Sequence, residues 1–150
     1  MRRVRAGASM RATPAKGSTV YETDEKGTEV AIVIEDVNPE ALFSESLLAL
    51  SDLLSDATGG TPVTHEVELR APDLQALLDD WVRELVKLGE RDGFVPERVE
   101  KLRLESTSVR ARVAGERSIP LDRIRPLTPQ GVEVKRLDDG AWAARAILSG

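Results

Sequence analysis

Hydrophobic residues recur at helical steps over Pro72 to Gly89 more regularly than anywhere else in the chain. Leu74, Leu77, Leu78, Trp81, Val82, Leu85 and Leu88 fall on one wide apolar stripe, which predicts an amphipathic α-helix from Asp73 to Leu88. Asp73, behind Pro72, is the expected N-cap, and Gly89 the expected stop after the last apolar residue. Burying seven such side chains contributes on the order of 10–20 kcal/mol before chain entropy is subtracted. The opposite face, Gln75, Asp79, Asp80, Arg83, Glu84 and Lys87, is polar, with Asp79 four residues before Arg83, and reads as a solvated surface. The predicted buried face centres on Leu77, Trp81 and Leu85, packed against a sheet.

Before this helix the pattern changes twice. Structure is expected to begin near Tyr21, followed by an acidic turn from Glu22 to Lys26. The β-branched run Glu29-Val-Ala-Ile-Val-Ile-Glu35 then predicts a strand buried on both faces. Asn38-Pro39-Glu40 opens a helix, with Asn38 as N-cap and Pro39 at its first position; Phe43, Leu47, Leu50 and Leu54 form its stripe. Gly59-Gly60-Thr61-Pro62 stops it. From Val63 to Arg70 apolar and polar residues alternate, the mark of a half-buried strand with Val63, His65, Val67 and Leu69 inward.

After the central helix, Arg91-Asp92-Gly93 reads as a turn. Leu102 to Glu105 and Val109 to Val113 read as strands joined through Ser106-Thr107-Ser108. Gly115 to Leu127, with no period, reads as a surface connection. Val132 to Val134 and Trp142 to Leu148 flank Asp139-Gly140, a hairpin signal. The order β, α, β, α and four strands predicts an α+β fold: a single domain over 21–150, with a mostly antiparallel sheet packed against two main helices.

Composition narrows the function classes. The chain has 150 residues and no cysteine, which removes disulfides, thiolate metal sites and cysteine nucleophiles. It has no apolar run of membrane-spanning length and no secretory core, so a soluble cytoplasmic protein is expected. Five aromatic residues are too few for a base-stacking platform. Residues 1–20 carry Arg2, Arg3, Arg5, Arg11 and Lys16 without an acid, leaving 16 basic against 26 acidic residues in the body. The basic leader reads as a disordered tail; its composition is shared by organelle transit peptides and nucleic-acid-touching arms. The acidic body argues against direct nucleic-acid binding and for a protein partner or a cation.

No phosphate loop, nucleophile elbow, zinc motif or cysteine–histidine cluster is present, so no catalytic residue is assigned. His65, the sole histidine, lacks a partnering motif and is expected to be a hydrogen-bonded structural residue. The acids Glu22, Asp24, Glu25 and Glu29, with Asp138 and Asp139 in the last hairpin, are the remaining candidates for a hard cation, although solvated turn acids look the same in sequence.

Tyr21-Glu22 before an acidic segment, NPEALF opening a helix, DLQALLDDWVRELV, then DGF and a closing VKRLDDGAWAARAIL hairpin together resemble the archease family over Tyr21 to Gly150. The most specific match is Asp73 to Val86, against the family pattern DLEALL-x-x-WL-x-ELL. The resemblance implies a protein cofactor that activates the tRNA-splicing RNA ligase joining 3′-phosphate and 5′-hydroxyl ends, aiding its guanylylation and turnover, without being an enzyme itself. It also implies a metal site, normally for calcium, built from two acids and the terminal carboxylate.

The sequence departs from the family at that site. The family's His-Thr-Ala-Asp falls on Lys26-Gly27-Thr28-Glu29, its histidine-ending segment on Arg125 to Gln130, and its final acid on Ser149. Glu29 and the Gly150 carboxylate are the metal candidates that remain, and divalent affinity is expected to be weak or lost. Two readings stay open: a ligase activator, or a degenerate, metal-free archease-like interaction domain serving another protein.

Overall fold

In the computed structural model, residues 2–5, 18–23, 28–54, 60–117 and 127–150 are described. Ten elements follow one another: β1 (Arg2–Arg5), β2 (Ser18–Thr23), β3 (Glu29–Asp36), α1 (Pro39–Leu54), β4 (Thr61–Arg70), α2 (Leu74–Asp92), β5 (Phe94–Glu105), β6 (Ser108–Arg117), β7 (Thr128–Arg136) and β8 (Trp142–Ser149). They form two antiparallel sheets rather than one, in the orders β1-β2-β3-β8-β7 and β4-β6-β5. The fold is α+β. Each helix touches both sheets, α1 through β3, β8 and β5, and α2 through β7 and all three strands of the smaller sheet.

The predicted stripe of α2 is the centre of the core. Leu77, Trp81 and Leu85 are fully enclosed, with Val86 and Gly89 buried beside them. Trp81 meets Phe43 of α1 edge-to-face at 5.5 Å between ring centres, and its Nε1–H donates to the Phe43 carbonyl at 3.0 Å. The buried Ser46 hydroxyl donates to the same carbonyl at 2.9 Å, so both buried polar groups are satisfied. Asp73 is the N-cap as expected, its carboxylate accepting from the Ala76 N–H at 2.8 Å. The C-terminal stop is corrected. The helix runs through Gly89 to Asp92, and Gly93, at φ 69°, is the residue that leaves it, donating its N–H to the Gly89 carbonyl at 3.0 Å.

Two further sequence boundaries move. Structure begins earlier than Tyr21: Ser18–Thr23 is a strand pairing Val20 with Val33, and Arg2–Arg5 pairs on its other side. The expectation of a disordered tail over 1–20 is therefore corrected at Arg2–Arg5 and from Ser18; residues 6–17 lie outside the described residues. Glu22 and Thr23, expected in a turn, belong to the same strand, because the backbone pairs with β3 and Thr19 and Tyr21 reach α1. Thr19 Oγ1 donates to Glu45 at 3.2 Å and the Tyr21 hydroxyl to Asp52 at 3.1 Å. Burial first, then the Asp52 carboxylate, raises the pKa of Tyr21.

At the other end of the chain, Gly115–Arg117 belongs to β6 instead of a surface connection, and 118–126 lie outside the described residues. A Cβ on Gly115 would meet the Val95 carbonyl oxygen at 2.1 Å, so only glycine fits where β6 passes the irregular start of β5. Thr61 and Pro62 begin β4, while the rest of the predicted helix stop, before Gly60, is outside the described residues. The last hairpin turns where Asp139-Gly140 predicted, with Gly140 at φ 87° and the Asp139 carboxylate accepting from the Ala141 N–H at 2.9 Å.

Candidate functional site

Strand pairing brings the two metal candidates, Glu29 and Gly150, to one end of the larger sheet. Glu29 opens β3 directly opposite Ser149 at the end of β8, and Ser149 is opposite Thr128 at the start of β7. The three residues form a row across three strands. The Gly150 N–H donates to the Thr28 carbonyl at 3.1 Å, closing the β3 side.

Gln130 closes the other side. Between Pro129, opposite Leu148, and Gly131, opposite Ile147, the register shifts by one residue, and Gln130 is the extra one. A bulge of this kind re-aims a side chain. Here the Gln130 Nε2–H donates to Ser149 Oγ at 2.8 Å. Gly131 takes φ 143° to allow it.

The family's ion would need hard oxygen donors, and calcium takes roughly six to eight, several of them carboxylates. Among the described residues this strand end supplies the carboxylate of the exposed Glu29, the terminal carboxylate of Gly150, and the neutral hydroxyls of Thr128 and Ser149, the latter already engaged by Gln130. No group of three or more Asp, Glu, His or Cys residues stands in metal-holding proximity among the described residues. Asp24, Glu25, Lys26, Gly27 and Arg125 lie outside them. The described donors fall short of the roughly six to eight oxygens calcium takes, and no chemistry is derived through a cation here.

The other acids have different roles. Glu22 is buried and accepts from the Arg145 guanidinium at 2.6 Å, an ion pair across the larger sheet between residues 123 apart in sequence. No local signal marks it. Asp139 serves the hairpin. His65 faces inward, but the expectation of a hydrogen bond is corrected: its Nε2 is buried without a hydrogen-bond partner, and its ring stands edge-on to Phe94 at 4.6 Å. His65 lies on β4 of the smaller sheet, whereas the row crosses β3, β8 and β7 of the larger one, and it takes no part in the row.

No helix among the described residues is long and apolar enough to cross a membrane. Comparison with known proteins places this geometry. Residues 21–148 match the model of the "Archease protein family (MTH1598/TM1083)". The chain is 32% identical over 121 residues to protein archease of Methanosarcina barkeri, covering 73% of this chain and 81% of that one. It is 30% identical over 145 residues to protein archease of Methanosarcina acetivorans, covering 90% and 98%. The solution structure of Methanobacterium thermoautotrophicum protein 1598 superposes with a TM-score of 0.60 at 18% identity, over 87% of this chain and 98% of that one, which establishes a shared fold. With the family match spanning nearly all of the two sheets and both helices, the chain belongs to the archease protein family.

Proposed function

We propose that this chain is an accessory protein that activates a tRNA-splicing RNA ligase, the kind that joins 3′-phosphate to 5′-hydroxyl ends, by promoting ligase guanylylation and turnover. Family membership supports the reading. The observation that carries it onto this molecule is the row Glu29, Ser149 and Thr128, with Gln130 and Gly150 beside it, at the positions where the family resemblance puts its working site. In this reading the chain acts through a protein surface in the cytoplasm, has no catalytic residue of its own, and leaves RNA contact to the ligase. Its acidic body suits that division of labour, since phosphate binding depends on basic side chains.

The test is reconstitution. A 3′-phosphate/5′-hydroxyl ligase is mixed with GTP, divalent metal and RNA ends, with and without the purified chain. The expected result is a larger guanylylated fraction and several products per ligase only when the chain is present, and no joining by the chain alone. Equal ligase turnover in both mixtures overturns the proposal.

A second reading, a metal-free interaction domain serving another protein, is favoured by one observation: Ser149, in the place of the family's final acid, is neutral and held by Gln130. No association between chain and ligase, combined with capture of a different defined partner, would support it.

A further inference from the structure

We infer that the end of the larger sheet is fastened in this chain by a neutral side-chain latch, Gln130 to Ser149, that substitutes for cation bridging. The resemblance to the family puts a histidine at the position of Gln130 and an acid at that of Ser149. They are 19 residues apart and on neighbouring strands, yet they meet at 2.8 Å. Together they make a complete donor–acceptor pair.

The backbone is shaped for this pair. Gln130 is the bulged residue of β7, so its side chain leaves the regular alternation of the strand and reaches across to β8. Its Nε2 also approaches the Thr128 carbonyl at 3.5 Å, which keeps the amide over the start of its own strand. On the far side of β8 the Gly150 N–H to Thr28 carbonyl bond continues the ladder past Ser149. Beyond the ladder that pairs Ser149 with Thr128 and Glu29, the last residues of β8 are thus held to β7 by a side-chain bond and to Thr28, just before β3, by a backbone bond. Neither bond contains a group that titrates near neutral pH or that calls for a cation.

The consequence is functional. A surface held by an ion opens when the ion leaves or its ligands protonate. This one keeps its shape without divalent metal and across the neutral pH range. The inference rests on the family placement of the site but not on ligase activation, and its test reads local structure and metal binding, so its failure and that of the activator reading are distinguishable.

Amide hydrogen exchange over 128–131 and 147–150 is measured for the full chain, Gln130→Ala, Ser149→Ala and the double variant, each in millimolar calcium and in EDTA. A neutral hydrogen bond contributes about 0.5–1.5 kcal/mol net, so each single change speeds exchange at these strand ends by about two- to tenfold, and the double change adds little more. Calcium leaves all four patterns unchanged. The double replacement Gln130→His with Ser149→Asp restores the family residues, and it is expected to gain a calcium-dependent rise in melting temperature that the parent lacks. Additive single effects, or protection in the parent that calcium raises and EDTA removes, overturn the latch. If the restored variant does not fold, the exchange cycle on the parent decides alone.

Discussion

Around Trp81 the neighbours are apolar and fully enclosed, while around Ser149 they are polar and at least partly open to water. The first region is held by area removed from water, which is large, non-directional and tolerant of small shifts. The second is held by a few directed hydrogen bonds whose net contribution is modest but whose geometry is specific. The difference teaches where each kind of change will register. Losses in the packed region appear as global stability, whereas losses at the strand end appear as local opening or altered partner binding in a protein that stays folded.

The sharpest way to break the comparison is at its packed side. Trp81→Ala removes a fully enclosed indole, its edge-to-face contact with Phe43 and its bond to the Phe43 carbonyl. The expected loss is about 3–5 kcal/mol in urea unfolding. A loss under about 1 kcal/mol would mean that the α2 stripe is not the core.

Gly115→Ala comes next. Its new methyl meets the Val95 carbonyl at 2.1 Å, a backbone atom that cannot rotate away, so β5 and β6 must separate locally. Overpacking of this kind costs about 1–3 kcal/mol. An unchanged denaturation midpoint would show that the strands close less tightly than described.

The smallest effect belongs to the polar side. Glu29→Gln changes an exposed strand-end carboxylate and is expected to alter stability by less than about 0.5 kcal/mol. Calorimetric titration of parent and variant with calcium, magnesium and manganese is expected to give millimolar affinity or none in both. Micromolar binding abolished by the change would turn the strand end into a metal centre and dissolve the contrast with the packed region.

A pH-dependent contribution acts between the two regions, where Tyr21 joins β2 to α1. Because burial and Asp52 raise its folded pKa, the unfolded chain releases the tyrosine proton first. This group's contribution therefore falls as pH rises past the ordinary tyrosine range, and Tyr21→Phe would remove that part of the slope.

What the chain makes legible by itself are the features with a local period. The stripe of α2, the alternation of β4, the β-branched run of β3 and the Asp139-Gly140 turn each repeat a signal within a few residues, and each is found where it was expected. Asp73 was legible as a cap for the same reason. Family membership was legible too, because the motif of α2 and the closing hairpin are contiguous in sequence.

Tertiary structure alone decided the rest. β2 has few apolar residues, and it is a strand because β3 offers a ladder and α1 offers acceptors for Thr19 and Tyr21. Gly89 looks like a helix stop, but the helix continues because Gly89 is buried against the core and the left-handed residue comes four positions later. Gly115 is indistinguishable from a loop glycine until β5 is laid beside it. The split into two sheets, the Glu22–Arg145 pair and the Gln130–Ser149 latch all join residues far apart in the chain. Periodicity reports which face of an element is apolar, and so it fixed the elements; which polar side chains meet depends on strand order and register, which only the folded chain sets.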